Sequence, residues 1–282
     1  MSITALIHTR NEAANLPDCL RSVAWADELV VADMASTDAT REIAVAQGAR
    51  VIDMPLAPIV EPVRNLAVEQ CTGEWVLIVD ADERVSPKLA AQLRTLSQTG
   101  TAVAYALPRR NYFMGEWLEY GCWPDNQIRF IRKGTTFWNT QVHQPPQVNG
   151  PLVELPADPD AALEHFFVGN DLSKYIEKGT RYSALDAQRL AANLRPPIWP
   201  YLVRRPLSEF YGRYILNQAW RHGMRGLVWS LISAQYQLLV AIHYWALVQA
   251  PQTDACTPAT LRQRVNWEGI RTGLKWLRMK SR

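Results

Sequence analysis

Hydrophobic residues follow two rhythms along this chain. Over the first hundred residues, short apolar runs alternate with segments whose apolar positions recur every three or four residues. Ile3 to His8 reads as a first strand, broken at Thr9-Arg10-Asn11-Glu12, and Leu16, Cys19, Leu20 and Val23 then follow at helical spacing. Glu28 to Ala32 reads as a second strand, closed by Asp33. Ser36-Thr37-Asp38-Ala39-Thr40 supplies capping residues for a helix to about Gln47, where Gly48 can take a left-handed turn. Arg50 to Met54 is a third strand. Pro62 sits where a helix can begin, carrying Arg64, Asn65 and Leu66, and Gly73 closes it. Trp75 to Val79 is a continuous apolar run suited to a strand buried on both faces. Ser86-Pro87 opens another helix to about Leu96. Four strand–helix repeats predict an α/β fold: half of a doubly wound sheet, with parallel strands and right-handed crossovers.

From Val103 the rhythm changes. Val103 to Pro108 predicts a strand leading into Arg109-Arg110-Asn111-Tyr112, and Gln127 to Ile131 alternates as another. Between them, residues 115–126 mix glycines, aromatics and acids, a composition suited to a loop that stacks a sugar ring. Residues 145–160 hold five prolines and predict a covering loop or sheet edge. Asp171 to Asn193 reads as a helix, and Leu194-Arg195-Pro196-Pro197 breaks it. We place a domain edge there, with 1–195 as the α/β domain and 196–282 as a helical extension. A basic helix is expected from Pro206 to about His222, and a last one from about Pro258 to Lys280.

Charge sharpens this division. Residues 195–282 carry 13 Lys and Arg against 3 Asp and Glu, while residues 1–194 carry 17 against 24. Six of the eleven tryptophans (Trp199, Trp220, Trp229, Trp245, Trp267 and Trp276) fall in the basic part. Basic residues with interfacial aromatics point to an anionic membrane surface, and the absence of a nucleic-acid motif argues against a nucleic-acid partner. Residues 226–253 contain no charged side chain and are long enough to span a bilayer. Scattered polar residues and arginines on both flanks favour instead a helix packed in a homodimer or lying at the membrane interface. The four cysteines form no C-x-x-C pair and no signal segment opens the chain, so a cytoplasmic protein is expected, peripheral on the inner face of the cytoplasmic membrane.

Candidate chemistry centres on Asp80-Ala81-Asp82-Glu83, which ends the Trp75–Val79 run. In open α/β sheets, ligands bind at the carboxyl ends of strands, and two aspartates there can share a divalent cation and a sugar or ribose hydroxyl. A second D-x-D, Asp158-Pro159-Asp160, lacks a preceding strand and reads as a solvated loop. Asp33 ends the neighbouring strand, where a carboxylate can meet a ribose or base. Neither G-x-G-x-x-G nor G-x-x-x-x-G-K-[ST] occurs, which argues against a dinucleotide cofactor and against a phosphate-loop NTPase.

Taken together, Thr9-Arg10-Asn11-Glu12, Trp25-Ala26-Asp27-Glu28, Val31-Ala32-Asp33, Ser36-Thr37-Asp38, Arg64-Asn65 and Asp80-Ala81-Asp82-Glu83 resemble family 2 glycosyltransferases of the GT-A fold. Trp123-Pro124-Asp125, Gln127-Ile128-Arg129-Phe130 and Val142-His143 resemble, more narrowly, the lipopolysaccharide-core glucosyltransferases of that family. The resemblance implies a Rossmann-like nucleotide-sugar domain that transfers a sugar from a UDP-sugar with inversion. It implies that Thr9, Arg10, Asn11 and Glu12 border the nucleotide, with Asp38 and Ala81 on the same donor side. Asp33 would meet the base with Arg64 near it, Asp80 the ribose, and Asp82 a Mg²⁺ or Mn²⁺ ion on the diphosphate. The sequence departs from the family at Ala39, where glycine is usual, and at Gln144, where His143-Glu is expected.

Displacing a diphosphate requires charge neutralised on the leaving oxygens, by metal and by a fixed cation such as Arg129 or Arg64. The acceptor hydroxyl needs a base, for which Asp125 is the candidate, with Trp123 expected to exclude water and raise its pKa. His143 and His165 are candidate second metal ligands or acceptor contacts, and Glu83 a supporting residue. The acceptor is expected to be a glycan or glycolipid of the cell envelope. Polyprenyl phosphate or peptide acceptors are the near alternatives, and a non-catalytic nucleotide-sugar-binding protein the distant one.

Overall fold

The computed structural model describes residues 1–57, 60–138, 145–167, 172–193 and 198–248. His143, the 194–197 break and the expected last helix lie outside the described residues. The chain forms two compact units.

The first unit comprises Met1–Glu119 and Trp123–Gly169. Its elements run β1 (Ile3–Thr9), α1 (Leu16–Val23), β2 (Glu28–Asp33), α2 (Thr40–Ala46), β3 (Arg50–Asp53), α3 (Glu61–Glu69), β4 (Trp75–Asp80), β5 (Glu83–Val85) and α4 (Pro87–Thr99). They continue through β6 (Ala104–Leu107), β7 (Arg109–Phe113), β8 (Glu116–Trp117), the short helical stretch α5 (Glu119–Cys122), of which only Glu119 belongs to this unit, β9 (Gln127–Arg132), β10 (Thr136–Phe137), β11 (Gln147–Val148), β12 (Leu152–Glu154) and β13 (Leu163–His165). The main sheet has seven strands in the order β12-β6-β9-β4-β1-β2-β3. Strands β4, β1, β2 and β3 run parallel, as the repeated apolar runs predict, and β9 enters antiparallel between β4 and β6. The expected proline-rich edge is realised as β12, which pairs parallel with β6.

Period-two alternation in buried strands sorts the core into two layers. Ile3, Ala5, Ile7, Leu77 and Val79 meet Leu16 and Leu20 of α1 and Leu89 and Leu93 of α4 on one face. Leu6, Val30, Val76 and Ile78 meet Val63, Ala67 and Val68 of α3 on the other. Trp75 closes the first layer by stacking on Phe130, with ring centroids 4.7 Å apart. Ser86 caps α4 by accepting from the Leu89 amide at 3.3 Å. Gly73 is required for space, because a Cβ there would lie 2.6 Å from Thr4 Oγ1.

A second sheet, in the order β5-β13-β7-β8, was not anticipated. It places Glu83, His165 and Asn111 side by side across three strands.

The second unit comprises Tyr120–Cys122 and Asn170–Arg282. It contains α6 (Leu172–Asn193), α7 (Ile198–Tyr211) and α8 (Gly223–Val248). Ala187 and Leu190 of α6, Ile198 of α7, and Val240 and Tyr244 of α8 form its core. Thus α6, assigned to the α/β domain from sequence, packs with the helical extension. The helix expected from Pro206 to His222 is not continuous: Pro206 lies inside α7, and a π turn at Gly212–Leu216 and a 3₁₀ turn at Ala219–His222 follow. Gln218 takes a left-handed conformation between the two turns and interrupts any helical ladder. Ala219–Val248 is long and apolar enough to cross a membrane by length and composition alone. Inside this unit, however, one face of it is packed on α6.

Candidate active site

Parallel register brings the candidate residues together at the carboxyl ends of β1, β2 and β4. Thr9 aligns with Asp33, and His8 aligns with Asp80. Strand order reverses here, with β1 lying between β2 and β4, so the crevice sits at a topological switch point. Thr9 Oγ1 and Asp33 Oδ1 are both buried and have no partner among the described residues. Buried oxygens are normally satisfied, so two on adjacent strand ends mark a place for a polar ligand.

The loops after β1 and β2 hold each other. The Asn11 amide donates to Ser36 Oγ at 2.9 Å, and Asn11 Oδ1 accepts from the Thr37 amide at 2.7 Å. Asn11 is left-handed (φ 56°), a conformation asparagine tolerates. The Glu12 amide donates to Thr40 Oγ1 at 2.9 Å, and Asp38 accepts from the Ala13 and Thr40 amides. Asp38 is therefore tied into the loops, and Arg10 stands exposed at their rim. Asp33 Oδ2 accepts from the Ser36 amide and from Arg41 Nη1 at 2.9 Å, and Arg41 also reaches Asp53.

Asp80 lies between two arginines. Arg64 Nη2 approaches Oδ1 at 3.4 Å, and Arg129 Nη2 donates to Oδ2. Burial alone would raise the Asp80 pKa, but Arg129 and Arg64 outweigh it and hold the carboxyl well below its usual range. Arg129 is buried, and the same Nη2 donates to Glu83 Oε1 at 3.0 Å. Glu83 is fully buried; it also accepts from Arg109 Nη1 at 2.9 Å and, through Oε2, from the Asp80 amide at 2.9 Å. Arg129 is thus engaged by two carboxylates rather than standing open as a cation. Ala81 is buried between the two aspartates.

Beside this lattice, His8 is buried with neither ring nitrogen partnered among the described residues. Burial, reinforced by Arg64 and Arg129 and opposed by Asp80, pushes its imidazole down to about 3.

Asp125 is held by four contacts. Its Oδ2 accepts from Arg109 Nε at 2.9 Å, Arg109 Nη2 at 2.6 Å and Asn111 Nδ2 at 3.0 Å, and its Oδ1 accepts from Gln127 Nε2 at 2.7 Å. The expectation that Trp123 raises its pKa is corrected. Burial does push upward, but Arg109, with Asn111 and Gln127, holds the carboxyl below its usual range. Trp123 instead packs edge-on against Trp117, 5.5 Å between centroids.

Asn111 links Asp125 to His165. A carboxylate only accepts, so the Asn111 Nδ2 bond to Asp125 leaves Asn111 Oδ1 facing His165 Nδ1, 2.7 Å away. The His165 proton therefore resides on Nδ1, and in the neutral ring the Nε2 lone pair faces Asp82 Oδ2 at 3.6 Å. A hard carboxylate oxygen and an imidazole nitrogen suit Mn²⁺ and, less closely, Mg²⁺. Among the described residues no cluster of three or more His, Cys, Asp or Glu side chains is arranged to hold a metal. The remaining coordination would fall to substrate oxygens and water. Asp158, in the second D-x-D, pairs with Lys88 at 2.6 Å, as a loop residue does.

Arg109, Asn111 and His8 were not singled out from sequence. Their only signal is polar side chains at or next to the ends of apolar runs, His8 closing Ile3–His8 and Arg109 following Val103–Pro108.

Residues 4–147 match the family model described as glycosyl transferase family 2. Across 273 residues the chain is 29% identical to the lipopolysaccharide core biosynthesis glycosyltransferase LpsC of Rhizobium meliloti (strain 1021), covering 90% of this chain and 97% of that protein. Among solved structures, residues 1–349 of TarS from S. aureus align over 88% of this chain and 92% of that one, at 15% identity and a TM-score of 0.45. Glucosyl-3-phosphoglycerate synthase from Mycobacterium tuberculosis, solved with Mn²⁺, UDP and phosphoglyceric acid, aligns over 40% of this chain and 44% of that one, at 24% identity and a TM-score of 0.33.

Proposed function

Because the chain belongs to glycosyltransferase family 2, we propose that it moves a hexose from a UDP-sugar, with inversion, to a hydroxyl of a glycan or glycolipid in lipopolysaccharide core or related cell-envelope synthesis. The observation that carries this reading is the pairing of Asp82 Oδ2 with His165 Nε2 at 3.6 Å, two residues beyond the end of β4. In this reading Thr9, Arg10, Asn11, Glu12 and Asp38 border the nucleotide. Asp33 takes the base and Asp80 the ribose, held as a carboxylate by Arg64 and Arg129. Asp82 and His165 hold Mn²⁺ or Mg²⁺, which when bound neutralises charge on the diphosphate. Asp125 takes the proton of the acceptor hydroxyl, its orientation set by Arg109, Asn111 and Gln127. Whole-chain similarity to LpsC supports the acceptor class. The basic helical region supports residence at an anionic cytoplasmic membrane, with Trp220 exposed beside Arg221.

A second reading is favoured by the lowered pKa of Asp125, which makes it a weaker base. A polyprenyl phosphate acceptor is already a nucleophile and needs no proton removed. One experiment tests the donor chemistry that both readings share. UDP release is measured over a panel of UDP-sugars with and without Mn²⁺, for wild type and Asp82→Ala. The proposal expects metal-dependent release that Asp82→Ala abolishes; full activity in metal-free Asp82→Ala refutes it.

A further inference from the structure

Helix α8 is largely apolar, yet among the described residues only one face of it is packed. Gly226, Trp229, Ser233, Val240 and Tyr244 face inward within their unit, and Tyr236 Oη donates to Asp186 of α6 at 2.6 Å. The opposite face carries Met224, Leu231, Leu238, Ile242 and Trp245, between 38% and 72% exposed. With half-buried Val228 and exposed Gln235, these residues fall at 224, 228, 231, 235, 238, 242 and 245. The spacing is a strict alternation of four and three, the period of a coiled-coil seam rather than of the broader stripe a globular core requires. Val228, Gln235 and Ile242 occupy one set of seam positions, and Met224, Leu231, Leu238 and Trp245 the other. β-Branched residues in the first set with leucine in the second is the arrangement that favours two strands, and a single polar residue in the first set fixes register.

We propose that this seam pairs with α8 of a second copy of the chain, making a homodimer in which Gln235 meets Gln235 of the partner subunit. Parallel, in-register pairing brings the two amides together in one layer of the seam. An amide both donates and accepts, so each satisfies the other inside an otherwise apolar contact. A lipid covering fits less well. It would leave Gln235 in the middle of the seam without a partner. No charged side chain lies on the seam to select another protein.

The test is the mass of the full chain in solution without lipid, by light scattering, for wild type, Leu231→Glu/Leu238→Glu and Gln235→Glu. The dimer predicts a wild-type mass of two chains, and a dissociation constant raised on the order of 10²-fold or more in the double variant. Gln235→Glu would dissociate near pH 8 and re-associate as the pH falls toward about 5, where the seam carboxyl takes up its proton. A misfolded variant would not recover in this way. A monomeric wild type overturns the proposal and assigns the seam to residues 249–282 or to a lipid surface. So does a double variant that stays dimeric, or one that loses only its binding to anionic vesicles. Metal-dependent UDP release by the same proteins keeps this outcome separate from the functional reading.

Discussion

Arg109 grips Asp125 through two guanidinium nitrogens, Nε at 2.9 Å and Nη2 at 2.6 Å, while its third nitrogen reaches buried Glu83. The candidate base is thereby oriented and held in its ionised form. If a hydroxyl acceptor is used, Asp125→Asn lowers kcat/KM about 10²-fold or more, and a phosphate acceptor leaves it nearly unchanged. Arg109→Gln removes the principal cause of the lowered pKa. The acid limb of the kcat/KM profile should then move to higher pH, because the carboxyl becomes protonated earlier on acidification. An unmoved acid limb would take Asp125 out of the proton transfer.

The Asn111 bridge makes a prediction about metal affinity. Asn111 Oδ1 fixes the His165 proton on Nδ1 and so points the other nitrogen at Asp82. Partners that orient a metal-ligating histidine are worth about 10–100-fold in affinity. Asn111→Ala should therefore raise the Mn²⁺ Kd by about that factor, read directly by titration in the absence of donor. His165→Ala should raise it at least as far. An unchanged Kd in His165→Ala would leave the metal to Asp82 and to residues other than His165.

Legibility from sequence follows how local each signal is. Strands β1, β2 and β4 are readable because each is an apolar run cut off by a polar residue, and that cut places Thr9, Asp33 and Asp80 at one edge. The β5-β13-β7 row is not readable, because β5 and β13 have three residues each, too short for any period to register. Glu83 and Arg109 stand 26 positions apart, and nothing near either residue announces the other. The sign of the Asp125 pKa shift fails for the same reason. Trp123 is its neighbour in sequence, but Arg109 is its neighbour in space.

Glu83 should be the costliest single change in this lattice. It is fully buried and opposes both Arg109 and Arg129. Arg109 keeps Asp125 and Arg129 keeps Asp80, so the loss should fall below that of an uncompensated buried charge, at about 1–3 kcal/mol. Glu83→Gln keeps the shape and removes the charge, so urea unfolding should show a loss in that range with an unchanged slope. A loss under about 1 kcal/mol would mean that the two arginines find compensation elsewhere.

His8 ties stability to pH. In the folded chain its pKa is lowered to about 3 by burial and by Arg64 and Arg129, against about 6.5 when unfolded. Between those two values the unfolded chain binds a proton that the folded chain refuses. Acidification through this window therefore favours unfolding, and above about pH 6.5 the site contributes no pH dependence. The slope from one such group is at most about 1.4 kcal/mol per pH unit. Carboxylates with lowered pKa values, such as Asp80 and Asp125, also lose stability on acidification, so the total curve does not isolate His8. The difference between wild type and His8→Leu does, because leucine keeps apolar volume on the face shared with Leu6 and binds no proton. Unfolding free energies measured from pH 7 to pH 4 should converge in favour of the variant as the pH falls. Parallel curves would show that His8 titrates alike in both states, and that its ring is hydrated in the folded protein.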